Sequence, residues 1–364
     1  MIFLLSFLLA FGACLVLTPI TIKLASMWGF VDDPKKRQHP ALLHTSIVAR
    51  AGGLPIYLSV VLVSLFAVTL NKQVFGIFLG GLILVIVGLL DDKYDLSTSI
   101  KFLGQILAAL CVVAFGVGIN FITNPLLVFS STGFGLGNVI HLDTLRLSFN
   151  FLGAHSVVIL ADLFALFWIV WVINMVNFST GVDGQMPGVV FVALFVIFAA
   201  SLRFYPADLN QLLVSQLSII GAGATLGFLV FNFFPAKIFP GDSGSYFLGF
   251  LVAVCAILAG ARVGTAILVM AIPLIDGVFT VVRRMASGSS PFLGDRKHLH
   301  HRLLELGWGQ RRITLFYTLV CAILGAIALT LPAFGKLFAG VVIATIILGG
   351  LLWLNTNLPQ KARK

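Results

Sequence analysis

Val74-Phe75-Gly76-Ile77-Phe78-Leu79-Gly80-Gly81-Leu82-Ile83-Leu84-Val85-Ile86-Val87-Gly88-Leu89-Leu90 carries no charge from 74 to 90, then ends on Asp91-Asp92. As a helix rising about 1.5 Å per residue, such a run is close to the length that crosses a hydrocarbon core, and the paired acids mark where it meets water. The rest of the chain repeats the pattern. Of 364 residues, 59% are hydrophobic and 10% charged, and the mean hydropathy is +1.09, far from the composition of a soluble domain. Apolar runs near 2–22, 54–70, 74–90, 102–120, 157–176, 186–202, 211–232, 244–260, 263–282, 313–331 and 337–354 predict an all-α membrane protein, a polytopic bundle of about 11 transmembrane helices. The first run lacks a basic leader and a small-residue cleavage pattern, so it is expected to be retained as a span.

Lys and Arg set the expected orientation. With the N-terminus outside and the C-terminus cytoplasmic, all but Lys72, Arg146, Arg203, Arg262 and Lys336 of the 23 Lys and Arg residues fall on the inner side, as the positive-inside rule requires. Residues 1–364 then form one membrane domain, with an extracytoplasmic segment at 121–156 and a cytoplasmic loop at 283–312. The alternating Val139-Ile140-His141-Leu142-Asp143 suggests a small hairpin strand in the outer segment. The net charge of +10 is scattered through membrane-proximal loops without a nucleic-acid motif, which excludes nucleic acid and favours anionic headgroups and phosphates as partners. Cys14, Cys111, Cys255 and Cys321 all sit in apolar runs without ligand-like spacing and read as packing residues.

Five inner segments carry the polar chemistry. Asp32-Asp33-Pro34 through Lys35-Lys36-Arg37-Gln38-His39 to Arg50-Ala51-Gly52-Gly53 is either a topology-setting loop or part of a site. In Asp91-Asp92-Lys93-Tyr94-Asp95, adjacent carboxylates at a membrane mouth repel unless a cation or a shared proton relieves them, so metal binding or proton transfer competes with simple span termination. Asn174 through Asn177, Ser179-Thr180-Gly181-Val182-Asp183-Gly184 puts two asparagines on one helix face ahead of a tight turn. Pro240-Gly241-Asp242-Ser243-Gly244-Ser245 opens a helix with small residues, leaving N–H groups for an anion and a carboxylate for a divalent cation. Ser290-Pro291-Phe292-Leu293-Gly294-Asp295-Arg296-Lys297-His298-Leu299-His300-His301-Arg302 could hold a transition metal, but its crowded cations favour a clamp for phosphate oxygens. Asp276, after Pro273 in the ninth run, is a further intramembrane acid, either functional or paired with Arg283 or Arg284. Carboxylates for a divalent metal, cations for phosphate and tight turns on one membrane face are what phosphoryl transfer needs.

In order along the chain, Asp33-Pro34 to His39 with Gly52-Gly53, Gly88-Leu89-Leu90-Asp91-Asp92, Asn174 to Gly184, Phe231-Asn232 with Pro235-Ala236 and Phe239 to Ser245, and Ser290-Pro291-Phe292 to His301 resemble the bacterial polyprenyl-phosphate N-acetylhexosamine-1-phosphate transferases of glycosyltransferase family 4. These enzymes start envelope glycans on a lipid carrier, and the Asp-Arg-Lys-His-Leu-His-His run is similar to the branch using simple UDP-N-acetylhexosamines. The resemblance implies transfer of a sugar 1-phosphate from a UDP-N-acetylhexosamine to undecaprenyl phosphate with release of UMP, Mg²⁺ (or Mn²⁺) as cofactor, an inner-membrane location with the site on the cytoplasmic face, and the homodimer as an admissible assembly. It also implies Asp242 as metal ligand, Asp91, Asp92 and Asp183 as catalytic carboxylates, and Lys101 as a lipid-phosphate partner. Asn177, Gly181, Asp183, Asn232 and Phe239 then belong with the nucleotide, Phe239 stacking on uracil, His300 and His301 with the pyrophosphate, and Arg296 and His298 with the bound substrate.

Three departures stand out. Thr180 replaces the first acid of the family's Asp-Gly-x-Asp-Gly, Gln185-Met186-Pro187-Gly188 replaces the usual continuation, and Pro240 stands where a bulky apolar residue is usual. Residue chemistry leaves both direct in-line attack and a covalent aspartyl-phosphate route open. A competing class is a secondary transporter or flippase for an anionic glycolipid, which the many spans and the ionisable Asp162 and Asp276 would suit.

Overall fold

A backbone in hydrocarbon finds no water to bond, so each apolar run must satisfy its own N–H and C=O groups, and each does so as helix. The computed structural model describes residues 1–35, 46–124, 139–150, 154–205, 208, 210–260, 263–288 and 298–357. The helices are α1 (Ile2–Trp28), α2 (Gly53–Ala67), α3 (Lys72–Tyr94), α4 (Thr98–Ala114), α5 (Ile159–Phe178), α6 (Gln185–Leu202), α7 (Asn210–Asn232), α8 (Gly241–Leu258), α9 (Val263–Val269), α10 (Ala271–Ala286), α11 (Leu299–Glu305), α12 (Gln310–Thr330) and α13 (Ala333–Asn357). Eight are long and apolar enough to cross a membrane, and the bent α9–α10 pair counts as a ninth if it is one crossing. The apolar α2 and α4, of 15 and 17 residues, are shorter.

The centre of the bundle is α8, where every residue from Ser243 to Ile257 is buried. It packs against α2, α3, α5, α6, α7 and α9. At the periphery, α1 turns Leu4, Leu5, Leu8 and Leu9 outward and α13 turns Phe338, Val341 and Ile346 outward, as lipid-facing surfaces require.

The ninth run is not one straight span. It breaks at Met270 into α9 and α10, which meet at 83°. Pro273 has no N–H to offer the carbonyl of Val269, so the helical ladder is interrupted at this point.

Among the described residues three small sheets join the loops. β1 (Val31–Asp32) pairs antiparallel with β2 (Val48–Arg50), and β2 pairs parallel with β7 (Ile238–Phe239), setting Arg50 opposite Phe239. Elsewhere β3 (Phe121–Thr123) pairs with β4 (Val139–His141), the strand expected in the outer segment. A further hairpin joins β5 (Arg146–Asn150) to β6 (Ala154–Val158); its first strand reads Arg-Leu-Ser-Phe-Asn, an alternation as strong as that of β4.

Candidate active site

Two helices meet backbone to backbone where the ionic residues gather. A Cβ on Gly88 of α3 would collide with the main chain of Ser243 in α8, so only glycine permits this approach. Gly241 has φ +64°, in the left-handed region, and the Asp92 carboxylate fills the space its side chain would need. Gly88→Ala is expected to push α3 and α8 apart and to destabilise the protein by about 1–3 kcal/mol, the usual range for overpacking. Thermal unfolding in detergent reads this, and an unchanged midpoint would mean that the two main chains are not in contact.

Asp92 is fully buried and saturated. Its Oδ1 accepts the Asp242 N–H at 2.8 Å and lies 2.8 Å from Arg50 Nε, while Oδ2 accepts the Ser243 hydroxyl at 3.0 Å and N–H at 3.3 Å. It therefore positions the start of α8 and is not displayed to a ligand, unlike the catalytic carboxylate expected there. Asp91 accepts the Leu96 N–H at 2.8 Å on Oδ1 and pairs with Lys101 Nζ at 2.8 Å on Oδ2. Asp242 accepts a 2.7 Å bond from Asn177 Nδ2, and its other oxygen faces Arg50 Nη2 at 3.6 Å and Lys101 Nζ at 3.9 Å. Three carboxylates and two cations thus alternate where α3 ends, where α4 and α8 begin and at the end of β2.

Burial opposes the charge on Arg50, but Asp92 and Asp242 beside it, with Asp32 and Asp91 beyond, more than offset that and push its pKa above the ordinary value. Arg50 enters only because β2 runs parallel to β7, which delivers it beside the Pro240-Gly241-Asp242 turn. It was noted in the sequence only as part of a loop, and pairing of strands two or three residues long leaves almost no local signal.

The remaining expected residues divide. Asn177 bonds Asp242 and Ser245 Oγ and so joins the cluster. Asn232 is buried and joins two loops instead, accepting from Gly184 N–H at 3.0 Å and donating to the Ile238 carbonyl at 2.8 Å. Asp183 accepts the Ala236 N–H at 2.9 Å, and its own backbone bonds Gln310 and Thr314 of α12. These bonds make both residues ties between loops. Phe239 is half-buried in β7, beside the ionic cluster. Gly181 lies directly against the His300 ring, with no room for a side chain.

The described half of the histidine run faces inward. His298, His300 and His301 are buried; His298 and His300 stack in parallel with centroids 5.4 Å apart, and His300 and His301 lie 4.3 Å apart. Burial, then the neighbouring His301 and His298, hold His300 well below the ordinary imidazole pKa, so it is neutral at pH 7. The buried Arg302 donates to Glu305 at 2.7 Å. Arg296 lies outside the described residues. Asp276 pairs with His298 Nδ1 at 3.0 Å, in place of the expected Arg283 or Arg284.

Exposed Thr180 donates to the Asn177 carbonyl at 2.7 Å. Thr180→Asp loses only this bond and is expected to cost less than about 1 kcal/mol, leaving a folded, monodisperse protein. Loss of folded protein on size exclusion would show that this turn depends on the hydroxyl.

Among the described residues no three His, Cys, Asp or Glu side chains form a ready metal cage. The Asp91 and Asp242 carboxylates, however, both face the Lys101 ammonium, at 2.8 and 3.9 Å. Two hard oxygen donors suit a Mg²⁺ that draws its other ligands from water and phosphate, so the donor set fits.

Acids able to grip a cation and bases able to grip a phosphate, held at the ends of membrane-crossing helices, place the chain by class among membrane-embedded transferases of anionic groups. The family described as glycosyl transferase family 4 matches residues 74–260. A Bacillus subtilis (strain 168) protein named probable undecaprenyl-phosphate N-acetylglucosaminyl 1-phosphate transferase is 30% identical over 90% of this chain and 84% of its own length. The decaprenyl-phosphate N-acetylglucosaminephosphotransferase of Mycolicibacterium smegmatis is 32% identical over 94% of this chain and 86% of its own. The undecaprenyl-phosphate alpha-N-acetylglucosaminyl 1-phosphate transferase of Escherichia coli (strain K12) is 27% identical over 84% and 77%. The chain belongs to glycosyl transferase family 4.

Proposed function

We propose that the protein transfers an N-acetylhexosamine 1-phosphate from a UDP-sugar to a polyprenyl phosphate, giving a polyprenyl-diphospho-sugar and UMP as the first membrane step of a bacterial envelope glycan. The observation that carries this is the alternation of Asp91, Asp92 and Asp242 with Lys101 and Arg50, in a chain whose relatives are named for that transfer.

Lys101, with 24% of its side chain exposed, is the cation that can meet the lipid phosphate. Asp91 holds Lys101 in place and orients that phosphate through it, accepting a proton if the phosphate arrives protonated. Arg50, kept charged by its acids, faces the pyrophosphate oxygens beyond Asp242. Asp92 holds the start of α8, and Asn177 fixes the rotamer of Asp242. The lipid phosphate oxygen attacks the phosphorus bearing the sugar, a new P–O bond forms, and the bond to UMP breaks. Bound between Asp91 and Asp242, Mg²⁺ or Mn²⁺ would neutralise the negative charge of the pyrophosphate and of the departing nucleotide. The chain's eleven apolar runs and its Lys and Arg distribution support eleven crossings, with this site on the cytoplasmic face of the inner membrane.

The transporter reading loses its supports, because both intramembrane acids have local duties. Asp162 accepts the Val158 N–H at 2.9 Å at the start of α5, and Asp276 is bound to His298. Detergent-purified protein given UDP-N-acetylglucosamine, Mg²⁺ and undecaprenyl phosphate is expected to release UMP in proportion to lipid. No release across a panel of UDP-N-acetylhexosamines would overturn the proposal.

A further inference from the structure

Asp276 is a buried acid on α10, just beyond the bend. Both its oxygens are used. Oδ1 accepts the Leu299 N–H at 3.0 Å, and Oδ2 lies 3.0 Å from His298 Nδ1, with Thr280 Oγ1 3.4 Å from the same nitrogen. An ionised carboxylate only accepts, so the proton sits on Nδ1 and Nε2 is left, across the ring, for another partner. From His298 the contacts continue inward. Its ring is parallel to that of His300 within 7°, His300 lies directly on Gly181, and the turn carrying Gly181 follows Asn177, whose amide holds Asp242. Beside Asp276, Gly277 packs on Met175 and Phe178 at the end of α5, the helix that carries Asn177.

We propose that Asp276 is a positioning residue for the transfer. It locks His298 with Nδ1–H turned toward α10, which docks the histidine run as one stacked unit on the 179–184 turn. The bent α10 thereby sets the alignment of the Asn177–Asp242 side of the site. A chemically inert salt link would need the carboxylate but not one ring nitrogen, and this is what the test separates.

The kinetic arm rests on the function proposed above; the spectroscopic arm does not. Asp276→Asn, His298→Ala and the double variant are compared in UMP release and thermal unfolding. Each single change is expected to lower kcat by roughly ten- to a hundredfold, the scale on which partners that orient a functional histidine act, with KM for both substrates within about twofold. The double variant is expected to fall no further than the worse single one, because both remove the same arrangement. Asp276→Glu, which keeps the acceptor, is expected to recover part of kcat, and it carries the same cycle if Asp276→Asn does not fold. In ¹⁵N-histidine-labelled wild-type protein the His298 signal, assigned by its loss in His298→Ala, is expected to report the Nδ1–H form and to change in Asp276→Asn. Additive losses, wild-type kcat in Asp276→Asn, or an unchanged His298 signal would overturn the proposal. A wild type that releases no UMP would instead overturn the function, and the nitrogen signal alone would then decide the role of Asp276.

Discussion

Asp242→Asn is expected to reduce UMP release by roughly 10²- to 10³-fold or more, the scale on which removing one well-placed electrostatic partner acts, while insertion and thermal stability stay close to wild type. The two effects separate because of where the charge sits. An asparagine oxygen can still accept the 2.7 Å bond from Asn177. Folding loses the attraction between an acid and the first turn of α8, about 0.3–1 kcal/mol, and one of the counter-charges of Arg50 and Lys101, each of which keeps a nearer carboxylate in Asp92 and Asp91. Function loses more: one of the two carboxylates fit to hold a divalent cation, and the counter-charge that keeps Arg50 and Lys101 in the site at 3.6 and 3.9 Å. Added Mg²⁺ up to tens of millimolar should not restore the rate. A variant with near-normal turnover would remove Asp242 from the metal site.

Asp92→Ala is expected to act on folding first. Breaking a buried ion pair by deleting one partner costs about 3–5 kcal/mol, because the other charge is left without compensation. Here the deletion also frees the Asp242 N–H, the Ser243 N–H and the Ser243 hydroxyl at the start of α8. Arg50→Met should cost less, since Asp92 keeps those donors at the positive end of a helix. Thermal unfolding of the two variants in one detergent is expected to rank Asp92→Ala well below Arg50→Met. Equal midpoints would show that Asp92 serves Arg50 alone. Both variants should lose transferase activity, so only stability distinguishes them.

Much of the bundle was legible because lipid imposes one rule on every span. Each of the eleven apolar runs corresponds to a helix, or for 263–282 to the bent α9–α10 pair. The meeting of Asp91, Asp92, Asn177, Lys101 and Asp242 was also legible, because polar residues at span ends on one face have few places to go. What escaped depends on contacts distant in sequence. Arg50 reaches the site through a parallel pairing with Ile238–Phe239. Asn232 and Asp183 also tie loops together, which the sequence does not show because polar side chains in glycine turns serve ligands and loops equally well, and only coordinates show which amides they bond. The stacking of His298, His300 and His301 in the described half of the histidine run was equally hidden, because ring contacts leave no mark on residue spacing. A single proline was the only sign of the 83° bend.

Because α8 is enclosed by six other helices along its whole length, its depth is set by protein and not by acyl chains. Bilayers that differ by a few ångströms in thickness act on the outer helices α1 and α13 through hydrophobic mismatch, which they absorb by tilting. Asp242 rides on a keel that does not tilt with them, so its own depth is insulated from changes in membrane composition.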